Sequence, residues 1–278
     1  MRIAIVGLGL IGGSLAKALS ARTKHAVYGV DTDPVTCKDA VGQGAVRGMI
    51  SPDALDEFDL VWVCLHPQAA VRFIREQSEH FAAGAIVADV CGVKAEICRA
   101  AEEILSARGI HFVGTHPMAG REYSGFAASE ESLFDRASMI LTQTEQTNQP
   151  ALLQLHSLAM AVGCERVVIC SPEEHDRTIA YTSQLAHVVS SAYIKSPTAS
   201  RYKGFSAGSF QDLTRVARLD ENLWTELFLA NREPLLEEIA CMTTHLREYQ
   251  AALEEGDAEQ LCRLLRAGRL CKEEADRK

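Results

Sequence analysis

Over its first 170 residues the chain alternates short apolar runs with stretches of helical spacing, and this alternation narrows the possible folds more than any other feature. The runs at 2–6, 26–30, 60–65, 85–90 and 111–114 are rich in Val and Ile and too short for helices. Segments with apolar residues at three- and four-residue steps lie between them, at 14–22, 68–81 and 93–108. Strands joined through helices run parallel with crossover connections, so the expected fold is a doubly wound α/β sheet with helices on both faces. Two further strand-like runs, 137–142 and 166–170, enclose a helical segment near 151–162.

The pattern changes at Ser171. Ser171, Pro172 and Glu174 spell a helix start: a hydroxyl cap, a proline at the first helical position and a glutamate at the third. Beyond it Leu, Ile, Met and Trp recur at helical steps from 223 to 265. The expected division is a sheet domain over 1–170 and an all-helical domain over 171–278. The apolar faces of the last helices are wide for a lone small bundle, which points to a homodimer formed through them. The charged tail after Leu270 is expected to fray.

Composition limits the function classes. With 47% hydrophobic and 23% charged residues the chain can bury a core, which excludes disordered or collagen-like sequences. A net charge of −9 argues against nucleic acid and anionic membrane surfaces as partners. The nine cysteines are odd in number, show no C-x-x-C spacing and form no metal-ligand pattern; buried thiols in a reducing cytoplasm are expected. Arg2 and the apolar run after it imitate a secretory signal. The glycines at 7, 9, 12 and 13 would break such a helix, so the run is read as part of the fold.

Gly7, Leu8, Gly9, Leu10, Ile11 and Gly12 fit G-x-G-x-x-G directly after the first strand and before a helix. In that context Gly7 permits a tight turn, Gly9 lets the backbone approach a pyrophosphate, and Gly12 allows close helix–strand contact. The helix start offers free N–H groups to phosphates. Asp31, 19 residues after Gly12, ends the second strand and can accept hydrogen bonds from both ribose hydroxyls. Asp31 and Asp33 would repel a 2′-phosphate, and no Arg stands in the 31–34 turn, so the expected cofactor is NAD rather than NADP. The fold is thus expected to be of the Rossmann type.

His116 follows the fifth strand, at the edge where a doubly wound sheet receives ligands, and an imidazole there can accept a proton near neutral pH. A loop histidine that merely precedes Pro117 is an equal alternative on placement alone. His187 and His175 are 12 residues apart on one expected helix, about 120° around its axis and about 18 Å along it, too far to share a metal. His175 reads as a first-turn residue beside Asp176, and His187 as a core histidine. Ser209 reads as the cap of another helix, where Arg215 either grips a carboxylate or pairs with Asp212.

Taken together, these segments resemble the prephenate dehydrogenase family, which includes arogenate dehydrogenases. The likeness rests on the 7–15 stretch, on Gly114-Thr115-His116-Pro117-Met118-Ala119-Gly120, on Ser171-Pro172-Glu173-Glu174-His175-Asp176, on Ser183-Gln184-Leu185-Ala186-His187, and on Phe210-Gln211-Asp212-Leu213-Thr214-Arg215. The resemblance implies a two-domain dimer with its site between the domains, and oxidative decarboxylation of prephenate to 4-hydroxyphenylpyruvate with NAD. It implies that His116 accepts the hydrogen bond of the ring 4-hydroxyl, that His187 and Arg215 contact the substrate side chain, and that Gly120 and Ser183 belong to the substrate site. Where family members often carry a serine before Val-Lys, this chain has Gly92; water, Thr115 or Ser183 are the candidates to replace that hydroxyl.

Three alternatives remain open at this level. Arogenate differs from prephenate by an amine in place of a keto group. A β-hydroxyacid or imine dehydrogenase of similar build would need a lysine in the helical part, where Lys195 and Lys203 are the early candidates. A protein that senses NAD without turnover would not need His116, His187 and Arg215 together.

Overall fold

The computed structural model describes residues 1–121 and 123–277. Five parallel strands, β1 (Arg2–Val6), β2 (Ala26–Val30), β3 (Leu60–Val63), β4 (Ile86–Asp89) and β5 (His111–Val113), form one sheet in the order β2-β1-β3-β4-β5. Four helices, α1 (Leu10–Arg22), α2 (Pro34–Gly42), α3 (Pro67–Glu76) and α4 (Ala95–Leu105), connect them. Side chains alternate across the sheet. Ile3 and Ile5 join Leu15 and Leu19 of α1 in one core, whereas Ala4 and Val6 join Ile74 of α3 and Ile97 of α4 in the other. Both faces are covered, which is why the strands are apolar throughout rather than alternating. The strand that imitates a signal sequence is central and buried. The strand order reverses between β1 and β3, and the crevice for a ligand opens at such a point, beyond the strands' carboxyl ends.

The later strands do not extend this sheet. β6 (Thr115–Pro117), β7 (Ser138–Thr142) and β8 (Arg166–Cys170) form a second one, with β6 antiparallel to β7 and β7 parallel to β8. α5 (Gln149–Ala161) lies between β7 and β8 in the chain. The chain turns from one sheet into the other at Gly114, where a Cβ would lie 2.3 Å from Thr142 Oγ1. The loop reading of 114–120 is therefore corrected at His116. It sits on β6 opposite Ile140, in a strand too short, and too close to a proline, for periodicity to reveal.

From Ser171 onward every regular element among the described residues is a helix. Ser171 Oγ accepts the Glu174 N–H at 3.1 Å and caps α6 (Pro172–Ile179) as expected. α6 runs through a π-helical segment (Ala180–Leu185) into α7 (Ala186–Tyr193). α8 (Gly208–Arg215), α9 (Glu221–Ala230), α10 (Arg232–Glu255) and α11 (Ala258–Ala275) follow. Two expectations fail here. Ser209 does not cap α8, because Ala207 already holds the extended backbone of the cap position and Ser209 lies inside the first turn. The tail stays helical to Ala275, laced by the i,i+4 pairs Arg269–Glu273 and Lys272–Asp276. Thiols also divide: Cys91, Cys98 and Cys164 are buried, but Cys241, Cys262 and Cys271 are exposed on α10 and α11. No helix among the described residues is long and apolar enough to cross a membrane.

Candidate active site

The glycine turn is shaped by close approaches. Gly7 has φ +86°, and a Cβ there would stand 2.6 Å from the Cys64 carbonyl oxygen at the end of β3. At Gly12 a Cβ would meet the Gly7 carbonyl oxygen at 1.9 Å. Gly9 is the opposite case: nothing lies within 4 Å of its Cβ position, so the space over the start of α1 is open. The first N–H groups of that helix, from Leu10 and Ile11 onward, have no acceptor within the helix. The Leu8 side chain is buried in the core, and its N–H donates to Asp31 Oδ2 at 2.7 Å, so it is not among the donors left for a ligand. Asp31 Oδ1 accepts the Asp33 N–H at 2.9 Å. The carboxylate is thereby fixed at the carboxyl end of β2 with acceptor capacity left on both oxygens. An open helix start beside an anchored carboxylate fits a pyrophosphate and a ribose diol.

His116 faces the helical part of the chain. Its Nδ1 lies 2.9 Å from His175 Nε2, and His175 Nδ1 lies 2.7 Å from Asp176 Oδ1. Asp176 also accepts the backbone N–H groups of Lys94 (2.7 Å) and Ala95 (2.8 Å), so a carboxylate from α6 caps the start of α4. Asn231 donates its amide to the Asp176 carbonyl and to Gln184 Oε1, both at 2.8 Å, locking α6, the π segment and α10 together. Lys94 is fully buried against Asp89 at the end of β4. Burial pulls the Lys94 ammonium down, but Asp89 overrides this and holds it above its ordinary value. Asp89 also accepts the N–H groups of Cys91 (2.8 Å) and Thr115 (3.2 Å).

Among the described residues His116 Nε2 has no hydrogen-bond partner. It looks toward Gly92, where a Cβ would lie 3.9 Å from Nε2 and 3.4 Å from Leu227 Cδ2. Thr115 cannot supply the hydroxyl that Gly92 lacks, because it donates to the Asp89 carbonyl and accepts from Trp62 Nε1. Ser183 stands half-buried on the π segment. Leu227 is on α9, three residues after Trp224, whose ring lies 3.6 Å from the His187 ring. One face of α9 thus spans from the side of His116 to His187. His187 Nδ1 contacts the Val216 carbonyl at 2.9 Å, and Arg215 is close enough to depress its protonation.

The structure therefore joins His116 to His175 by a hydrogen bond and sets Arg215 near His187. Gly120 is exposed and lines a separate depression of about 430 Å³ with Met118, Arg121 and Arg136, whose lining does not include His116. Lys195 and Lys203, which a β-hydroxyacid mechanism would need, are both exposed. Sequence reasoning passed over His175, Asp176, Lys94 and Asp89. The π segment explains part of this. Each i→i+5 turn takes in one residue more than an α turn, which removes about 100° from the expected angle of about 120° between His175 and His187. The two histidines then share nearly one face.

Burial, the largest cause in each case, lowers the protonation of His116, His175 and His187; His175 and Lys94 add to it at His116. The unfolded chain regains the ordinary value of 6.5. Below that pH the unfolded state binds protons that the folded state refuses, so stability is full above it and falls as pH drops through it. A melting series should show a lower Tm at pH 5.5 than at pH 7.5; an unchanged Tm would contradict the buried neutral histidines.

Fold and site define a dinucleotide-binding oxidoreductase with a sheet part and a helical part. The nucleotide-binding domain of prephenate dehydrogenase matches residues 15–186, and the dimerization domain of prephenate dehydrogenase matches 171–267. The chain belongs to the prephenate dehydrogenase family. It is 29% identical to the prephenate dehydrogenase of Bacillus subtilis over 279 residues, which covers 96% of this chain and 74% of that protein. Its structure is similar to that of prephenate dehydrogenase from Aquifex aeolicus in complex with hydroxyphenyl propionate and NAD+ (TM-score 0.88, 29% identity, 99% of this chain and 98% of that one). It is also similar to arogenate dehydrogenase from Synechocystis (TM-score 0.85, 29% identity, 99% and 100%).

Proposed function

We propose that this enzyme oxidatively decarboxylates prephenate to 4-hydroxyphenylpyruvate and CO2 with NAD, in tyrosine biosynthesis in the cytoplasm. The observation that carries this reading is the unpartnered Nε2 of His116 at the ligand edge of the sheet, backed by His175 and facing Gly92. Gly9 to Gly12 would hold the pyrophosphate and Asp31 the ribose. When bound, the dinucleotide supplies the acceptor for the hydride leaving ring C4. His116 Nε2 takes the 4-hydroxyl proton as that carbon becomes a carbonyl. Loss of the ring carboxylate as CO2 returns an electron pair to the ring and to its oxygen, and His116 gives the proton back. Arg215 would hold the side-chain carboxylate, with His187 beside it.

Residues 1–170 would hold the dinucleotide, and 171–278 would complete the substrate site and pair two copies. Exposed Leu229, Leu236, Leu246, Leu253 and Leu265 on α9 to α11 support that pairing, together with the match to a dimerization domain. Steady-state assays of prephenate and arogenate, each with NAD and with NADP, test the reading. The expected optimum is prephenate with NAD; a higher kcat/KM for arogenate, or NADP used as well as NAD, would overturn the choice of substrate or cofactor. Arg215→Ala is expected to raise the KM for prephenate about tenfold or more with a smaller change in kcat, the loss of a charged hydrogen bond. An unchanged KM would remove Arg215 from the site.

A further inference from the structure

We propose that His175 and Asp176 are positioning residues that fix the tautomer of His116, so that its proton sits on Nδ1 and the lone pair on Nε2 faces the substrate. This rests on the reading of His116 as the base. Three groups stand in line, His116 Nδ1 to His175 Nε2 and His175 Nδ1 to Asp176 Oδ1. A neutral imidazole has one N–H and one lone pair, so the end of the chain decides the direction of every bond in it. The end is Asp176. Its Oδ1 also accepts the Lys94 N–H and its Oδ2 the Ala95 N–H, and donors on both oxygens suit an acceptor-only carboxylate. His175 must then donate from Nδ1 and present a bare Nε2, and His116 must donate to it from Nδ1. The reverse direction would set His175 without a proton against an ionised carboxylate.

The placement has a second consequence. When His116 takes the substrate proton it becomes a cation in a buried corner that already holds the Lys94 ammonium, itself matched by Asp89. Asp176, one imidazole away, is the remaining negative group aligned with that new charge. The carboxylate comes from α6 and the base from β6, so the lone pair is correctly aimed only when the helical part is seated on the sheet part.

The test uses the full chain with 15N-labelled histidine side chains at pH 7.5. Long-range proton–nitrogen correlations, assigned with the variants below, are expected to show His116 and His175 each protonated at Nδ1 and bare at Nε2. A proton on His116 Nε2 would overturn the proposal. His175→Gln returns a carbonyl oxygen near the lost Nε2 and should keep kcat within about tenfold, whereas His175→Leu, with no acceptor, should lower kcat about 10²-fold or more at unchanged KM for NAD. Wild-type kcat in His175→Leu would contradict the proposal. If that variant fails to fold, the nitrogen spectrum of His175→Gln decides: retained His116 Nδ1–H supports the proposal, and a shift of the proton to Nε2 overturns it. Full turnover by His116→Asn together with the expected nitrogen pattern would refute the base assignment and leave the tautomer lock standing.

Discussion

Replacing His116 with Asn is expected to lower kcat about 10²- to 10⁴-fold while NAD binding stays as it was, the range for removing a positioned general base. Asn is the informative substitution. Its amide nitrogen can take the place of Nδ1 and donate to His175 Nε2, so the buried chain to Asp176 keeps its partner. What disappears is Nε2, the nitrogen that faces Gly92. The cofactor residues lie on another turn and make no contact with this chain of hydrogen bonds, so fluorescence titration with NAD should give the wild-type Kd. Near wild-type turnover would show that the hydroxyl proton goes elsewhere.

The second large effect concerns stability. Lys94→Met is expected to destabilise the fold by about 3–5 kcal/mol, the cost of leaving one member of a buried ion pair alone. Both side chains of Lys94 and Asp89 are fully buried, and Asp89 is further bound by the N–H groups of Cys91 and Thr115. Without the ammonium, its charge has no counterion in the apolar end of the sheet. The exposed pair Arg2–Glu57 is the control, where Glu57→Gln should change stability by less than about 1 kcal/mol. Urea unfolding of both variants checks the contrast; equal midpoints would mean that the buried pair is not held as the structure shows.

Much of this architecture is legible in the sequence. The parallel sheet was visible because strands buried on both faces leave unbroken Val- and Ile-rich runs, and the glycine turn was visible because strand, turn and helix follow one another in the chain. β6 was not visible: three residues with a proline carry no period, and its partner β7 lies more than twenty residues away. His175 is hidden for a similar reason. The dipeptide His175-Asp176 looks like an ordinary first turn, and its contact with His116 spans 59 residues. Lys94 and Asp89 carry no motif of their own, and only the packing of Trp62, Thr115 and α6 around them makes them buried.

The most direct test of the account is a crystal structure with NAD and a 4-hydroxyphenyl product analogue bound together. The ring oxygen should lie within hydrogen-bonding reach of His116 Nε2, about 2.6–3.2 Å, with the side-chain carboxylate on Arg215 and the pyrophosphate over Gly9. A ring oxygen held by another group, with His116 Nε2 turned away from it, would contradict the account.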